Sequence, residues 1–576
     1  MGCLCSLLTI FQLLLKDKME KRVKFLIIFF LFSFSAILSK LFYWQIVKRK
    51  FLLALAVNQQ TISYTIASSR GKIYSKDSFP LVLNQPSYLL FADPSLLKIS
   101  TAELESLVKP IIQKGNFDNK LLSDKNLHWF PLAKNLTAET KNNIENLKIE
   151  GLGFEENTIR YYPEASMSAH LLGFVGEDEK SDPKGYFGLE GFYDYEIKGK
   201  FGSRTFEQDA LGRPVALSEE LVEKPIAGSN LLLHIDRPLQ FLVEKRLKEG
   251  IEKYSALSGT VIVMNPGSGA ILAMASFPGY SPSSYFNSDT ELFRNPSIST
   301  SFEPGSIFKV IVMASALDSG TVNLNDTCTI CYGPRTIGEY TIKTWNEKYY
   351  PSSSLTDILV HSDNVGMVYV AEKLGKEKMY DYLKNFGFGQ ITGIDLQGEV
   401  SPPLRSKNDW GDIDLATASF GQGIAVTPIQ FLTAVSAIAN KGELYEPQVV
   451  NKIFDDFRQV AISPVKKKRV ISEQTAKILT QMMVEAVDRG ESKWAKPGGY
   501  KIAGKTGTAQ IPIAGHYDPQ KTVASFVGFA PADNPGFVML VSLNEPKSSP
   551  WGSETAAPLW FDIAKDIFKL GGVSPG

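Results

Sequence analysis

Three short patterns in this 576-residue chain join a nucleophile, a base and a cation at spacings that could do chemistry. The first is Ser306-Ile-Phe-Lys309, which follows Phe302-Glu-Pro-Gly305. With Pro304-Gly305 as a turn, Ser306 lies at the mouth of a helix running through Met313 to Leu317. Positions three apart share a helix face, so Ser306 and Lys309 can meet. A serine hydroxyl is a weak nucleophile until a base takes its proton. A lysine is that base only where desolvation or nearby cations depress its pKa. The helix N-terminus would offer backbone N–H groups to an oxyanion. The plain alternative is a helix-capping serine with a solvated lysine one turn on.

The second pattern, Ser362-Asp-Asn364, precedes an apolar, helix-like run from Val365 to Leu374. By itself it could also be an N-cap or a polar turn. The third, Lys505-Thr506-Gly507-Thr508, lies among β-branched residues and glycines, which predicts an edge strand that a ligand backbone can approach closely. Gly499 to Thr506 also meets the phosphate-loop pattern formally. A phosphate loop is followed by a helix, however, whereas Gly507 and a strand-like run come next.

The elements that must position these residues read as an α+β arrangement. Leu231 to Ile235 is an expected strand. Arg237 to Tyr254 is an expected amphipathic helix with Leu239, Leu242, Val243 and Leu247 on one face. Gly259 to Asn265 and Ala270 to Ser276 form an expected hairpin around Pro266-Gly-Ser-Gly269. Thr522 to Phe529 and Gly536 to Leu543 read as strands, and Phe561 to Lys569 as a closing helix. Upstream, Arg70-Gly71 reads as a turn before a strand. Residues 95–150 read as amphipathic helix, and Gly185 to Gly202 as a turn-rich segment rather than a helix.

The expected division is a cytoplasmic tail and transmembrane anchor over residues 1–50, an elongated pedestal over 51–225 and a catalytic module over 226–576, with Pro225 to Asn230 at the boundary. Phe25 to Ser39 carries no charge, and Leu41 to Val47 continues it past Lys40, together matching the roughly 20 residues that cross a bilayer. Lys40 can snorkel, and Tyr43 and Trp44 suit an interfacial belt. Basic residues flank both sides, with a mild bias that places the N-terminus inside. A cleaved signal peptide and a start at Met19 are the competing readings of this end.

Lys plus Arg (61) equals Asp plus Glu (61), which gives no sign of a nucleic-acid surface. The 44% hydrophobic content fits folded protein. Cys3 and Cys5 lie at the N-terminus. Cys328 and Cys331 form a lone CxxC, half the ligand set of a structural zinc site, which leaves a local disulfide or two packed thiols.

Taken together and in this order, Ser-x-x-Lys, Ser-x-Asn and Lys-Thr-Gly resemble the signature of penicillin-binding proteins and serine β-lactamases. Gly421 to Gln430, Ala524 to Pro531 and Ala556 to Pro558 resemble further blocks of that family. Arg70-Gly-Lys-Ile-Tyr-Ser, Arg160-Tyr-Tyr-Pro, Ala169 to Gly176 and Gly188 to Asp194 resemble the pedestal of its class B, monofunctional transpeptidases. Ile307 stands where threonine is more usual, and Ser75 with Asp77-Ser78 departs from the usual acidic residue and Asn-Gly turn. No glycosyltransferase block precedes the pedestal and no repeat module follows Lys569.

The resemblance implies a penicillin-binding transpeptidase fold and a D,D-transpeptidase that cross-links peptidoglycan stem peptides without metal or cofactor. Lys309 would take the proton of Ser306, which attacks the penultimate D-Ala carbonyl. Ser362 would shuttle protons and Asn364 would hold the substrate amide. Lys505, Thr506, Gly507 and Thr508 would bind the terminal carboxylate, and β-lactams would acylate the same serine. Ser362 to Met367 and the Gly421 block are more similar to the division-specific, FtsI-type branch than to the elongation branch, which implies a membrane glycan polymerase of the FtsW type as partner. A membrane-anchored β-lactamase and a non-catalytic division scaffold compete with this reading. No Glu-x-x-x-Asn follows Ser362 to activate a deacylating water, and every chemical residue that a scaffold could dispense with is present.

Overall fold

The computed structural model describes residues 21–572 apart from 67, 113–116, 119, 121, 123–126, 128, 180–181, 208–220 and 514–515. Cys3, Cys5 and Met19 lie outside the described residues. The chain divides into two compact units, Met1–Ala67 with Phe201–Ile226 and Ser68–Lys200 with Ala227–Gly576.

In the first unit, helix Lys21–Phe42 runs into a π-helical turn, Tyr43–Val47. Together they make a helix of 27 residues that is long and apolar enough to cross a membrane. At 1.5 Å per residue it is about 40 Å long, against a hydrocarbon core of about 30 Å. None of it is buried in the protein. Helix Arg49–Gln60 follows, then an antiparallel sheet of Thr61–Ile66, Gly202–Glu207 and Leu221–Glu223.

The second unit is organised on a five-stranded antiparallel sheet in the order Ile271–Phe277, Ser258–Met264, Phe537–Asn544, His516–Ala530, Ala503–Ile513. Its central strands read as unbroken apolar runs because both faces are covered. Val261 and Val263 point into a core shared with helices Arg237–Tyr254 and Ala556–Leu570, where Val243, Leu247, Trp560 and Phe561 lie. Ile262 and Met264 point the other way, into the larger core that holds Ile307, Phe308 and Phe431. Helix Arg237–Tyr254 has the bounds expected from periodicity. Asp236 caps it by accepting from Leu239 N at 3.1 Å, and Ser255 ends it in the left-handed region.

The middle of the chain supplies helices that pack on the second face. In helix Lys309–Asp318 every residue from Lys309 to Ala316 is buried, so the helix is central rather than amphipathic. Helix Pro428–Ala439 is buried throughout and starts in a reciprocal capping box between Thr427 and Gln430.

Two local expectations are corrected. Residues 95–150 are not helical throughout. Helices Thr101–Ile112 and Ala138–Glu145 flank a strand, Phe130–Leu136, which pairs with Pro80–Ala92 and buries Phe130, Leu132, Ala133 and Leu136. That strand has Pro131 and no β-branched residue, so its identity comes from its place at a sheet edge and not from propensity. Gly185 to Gly202 does contain helix, in two short pieces, Gly188–Phe192 and Asp194–Ile197. They bring Glu190 into the interior, where Arg70 Nε and Arg160 Nε donate to its two oxygens at 2.7 and 2.8 Å. Cys328 and Cys331 are disulfide-bonded and buried.

Candidate active site

Ser306 lies in a tight helical turn, Gly305–Phe308, that leads directly into helix Lys309–Asp318. The turn is held from behind by the Gly421 block. Gly305 N donates to Gly421 O at 3.1 Å, Phe302 and Val426 exchange both backbone hydrogen bonds, and Gly423 N donates to the Glu303 carboxylate at 3.0 Å. Tyr517, on strand His516–Ala530, donates to the same carboxylate at 3.1 Å. Burial pushes the Glu303 carboxyl up, and burial with the facing carboxylate pushes the Tyr517 phenol up to about 12.

The edge strand Ala503–Ile513 runs across this turn so closely that position 507 must be glycine. A Cβ there would lie 2.8 Å from Ile307 Cγ2 and 3.2 Å from both Ile307 N and Pro304 O. The phosphate-loop pattern at Gly499 to Thr506 therefore ends in an edge strand, with no helix after it. Thr508 Oγ1 accepts from Gly552 N at 3.0 Å, which ties the strand to the loop carrying Trp551.

Ser362, Asp363 and Asn364 form the start of helix Asn364–Leu374. Asp363 is the cap, its Oδ1 accepting from Val365 N at 2.8 Å and Gly366 N at 3.1 Å. The preceding Ser362 is held at φ 53°, a left-handed conformation costly for a non-glycine residue and sustained by the packing around it. This turns both the carbonyl and the hydroxyl of Ser362 toward Lys309.

The two lysines converge on Ser362. Lys309 Nζ donates to Ser362 O at 2.6 Å, Asn364 Oδ1 at 2.8 Å and Ser362 Oγ at 3.3 Å. Lys505 Nζ donates to the same Ser362 Oγ at 3.0 Å and to Thr506 O at 3.2 Å. Among the described residues no hydrogen bond joins Lys309 to Ser306 Oγ. Their shared position brings the two side chains to one site, and Ser362 and Asn364 set where the ammonium points. Lys309 is fully buried and Lys505 is 4% exposed. Burial, and next the neighbouring Lys505 charge, hold the Lys309 pKa well below 10.5. Burial lowers Lys505 to about 8, opposed by Glu491.

Ser306, Ser362, Asn364, Thr506, Gly507 and Thr508 line one cleft of about 90 Å³. Trp345, Trp551 and Glu491 line it too, and sequence reasoning singled out none of them. The tryptophan rings lie 5.1 Å apart. Each reaches the cleft from a loop distant in sequence, so no local spacing announces them. The arrangement offers a hydroxyl at a helix start, a buried lysine of depressed pKa, a bridging hydroxyl and a second cation on a strand that a peptide backbone can approach. That set suits acyl transfer from a substrate with a terminal carboxylate.

Known proteins share this architecture over nearly the full chain. Residues 259–569 match the family described as penicillin binding protein transpeptidase domain, and residues 65–233 match the penicillin-binding protein dimerisation domain. The chain is 33% identical to stage V sporulation protein D of Bacillus subtilis over 572 residues, covering 96% of this chain and 86% of that protein. It is 30% identical to peptidoglycan D,D-transpeptidase FtsI of Escherichia coli over 519 residues, covering 88% of this chain and 85% of that one. Among solved structures, a peptidoglycan synthetase from Bifidobacterium adolescentis is 26% identical with a TM-score of 0.73, covering 90% of this chain and 98% of that one. Penicillin binding protein 2X from Streptococcus thermophilus shares the fold at a TM-score of 0.74 and 24% identity, covering 89% of this chain and 81% of that one.

Proposed function

The chain belongs to the class B penicillin-binding proteins, and from that premise we propose that it cross-links peptidoglycan stem peptides in septal wall synthesis through an acyl-enzyme on Ser306. The observation that carries this reading is the convergence of Lys309 and Lys505 on Ser362 in the cleft that also holds Ser306. Lys309, in its neutral form, takes the Ser306 proton as the oxygen attacks the penultimate D-Ala carbonyl. The proton passes through Ser362 Oγ toward the departing D-Ala amine as the peptide bond breaks. An amine of a neighbouring stem peptide then displaces Ser306 from the acyl carbon. Asn364 fixes Lys309 through Oδ1 and presents its amide to the substrate backbone. Lys505, Thr506 and Thr508 hold the terminal carboxylate by charge-assisted bonds, and Gly507 lets the strand that carries them lie against the turn that carries Ser306. A β-lactam meets the same groups and stays on Ser306. Labelling with a fluorescent penicillin should mark the wild type and not Ser306→Ala. An adduct on Ser362 would reverse the assignment.

The helix Lys21–Val47 anchors the protein in the cytoplasmic membrane with the pedestal (51–225) and the transpeptidase module (226–576) outside. Similarity to the FtsI proteins supports the septal role, with glycan strands supplied by a polymerase of the FtsW type. Depletion should then give filaments that elongate without dividing, with a fluorescent fusion gathered at midcell. The relative named stage V sporulation protein D favours a second reading, a role confined to sporulation. Normal division of depleted cells that fail only in sporulation would select it. Rounded cells that still divide would select the elongation branch.

A further inference from the structure

Glu491 enters the cleft from the loop after helix Glu473–Arg489. Its Oε1 is buried with no hydrogen-bond partner among the described residues. Its charge faces Lys505, Lys309 and His361. The other carboxylate acting on the pair among the described residues is Asp363. Its Oδ1 is committed to the helix cap, its Oδ2 is buried without a hydrogen-bond partner, and its charge raises the Lys309 pKa more than that of Glu491 does but does not act on Lys505.

Ser362 Oγ is within hydrogen-bond reach of both lysines, at 3.3 and 3.0 Å, and a hydroxyl has a single proton to donate. With one lysine neutral and one charged, Oγ accepts from the charged amine and donates to the neutral one, so both contacts are satisfied. With both charged, two buried ammonium ions repel across one oxygen. The site needs fixed negative charge to hold one proton on the pair. Asp363 supplies it on the Lys309 side alone, and Glu491, which lines the cleft, is the carboxylate whose charge reaches both amines. On the transpeptidase reading above, we propose that Glu491 is a positioning residue that keeps Lys505 charged and, with Asp363, sets the pH range over which Lys309 is the neutral base. Its field raises the pKa of both lysines against the burial that lowers them. Burial pushes the Glu491 carboxyl up, while the two lysines draw it down and favour its charged form.

Removing that charge lets both lysines lose protons more easily, so both limbs of the acylation profile move the same way. The test is the second-order rate of acylation of the full-length protein by a fluorescent penicillin, from acid to alkaline pH. In Glu491→Gln the acid limb, set by Lys309, and the basic limb, set by Lys505, should both move to lower pH, by about one unit as for loss of a nearby opposite charge. Glu491→Asp should restore them toward wild type. Glu491→Thr is a second neutral variant should the glutamine not fold. A loss of amplitude with unmoved limbs, or a shift to higher pH, overturns the proposal. So does failure of both neutral variants to fold, which would make Glu491 structural. If Ser306→Ala still takes the label, the reading beneath has failed. If it loses the label and the limbs stay put, only the role of Glu491 has.

Discussion

At Arg70 and Arg160 the buried guanidinium groups meet carboxylates head on, whereas at Lys309 and Lys505 the buried ammonium groups meet hydroxyls, an amide and backbone carbonyls. Arg70 donates to Glu190 at 2.7 Å and contacts Asp194 at 2.7 Å, and Arg160 donates to Glu190 at 2.8 Å and to Asn84 at 2.7 Å. Glu190 is fully buried, yet its pKa is lowered, because the two guanidinium groups outweigh the burial that would raise it. Charges matched in this way stay ionised and act as structure. The lysines have carboxylates at their flank and none in direct contact, so burial prevails and their proton affinity falls toward the working range. Arginine cannot be brought there, and lysine can.

The largest expected effect confines the chemistry to the lysine region. Ser306→Ala should lower acylation by penicillin on the order of 10⁶-fold, as loss of a nucleophile does elsewhere. Peptide mass spectrometry of the treated protein should find the adduct only where Ser306 is present. The converse variant, Glu190→Gln, should destabilise the fold by about 3–5 kcal/mol, since it leaves the buried Arg160 without its charge partner and Arg70 with Asp194 alone. Denaturant melts would show that loss, while the acylation rate per folded molecule holds. A fall in that rate with stability intact would break the comparison.

Lys505→Gln should do the reverse. Loss of one charge-assisted bond to the substrate carboxylate, worth about 1.5–3 kcal/mol, slows acylation by penicillins and peptide-like substrates at least about tenfold. Its folded pKa of about 8 lies below its ordinary 10.5, so holding it charged in the fold costs stability below about pH 8. That cost is relieved as pH rises from about 8 to the ordinary 10.5, because the unfolded chain then binds more protons than the folded one. The variant should therefore be at least as stable as wild type at pH 7, with the difference closing above pH 8. Stopped-flow acylation and melts across that range test both halves.

The smallest effect is in the wild-type pH profile. The acylation rate should rise as Lys309 loses its proton and fall above about 8 as Lys505 loses its own. A profile with no basic limb would remove Lys505 from recognition of the carboxylate.

Local sequence determined what local physics controls. The spacing of Leu239, Val243 and Leu247 fixed a helix whose ends at Arg237 and Tyr254 carry their own caps. The run from Gly259 to Asn265 marked one arm of a hairpin, whose burial on both faces only the fold revealed, and the ordered trio of Ser306, Ser362 and Lys505 with their neighbours marked the chemistry. Phe130–Leu136 was not legible as a strand, since its residues lack β-branching and its stability comes from Pro80–Ala92 far along the chain. Nor was the partner of Lys309. Spacing placed it beside Ser306, but the left-handed turn at Ser362, 53 residues away, decides where its amine points. Glu491, Trp345 and Trp551 belong to the cleft only because a sheet edge and three loops close on one point. A proton's preference between two lysines depends on every charge within a few ångströms, and charges that close in space are set by the folded chain, not by their order along it.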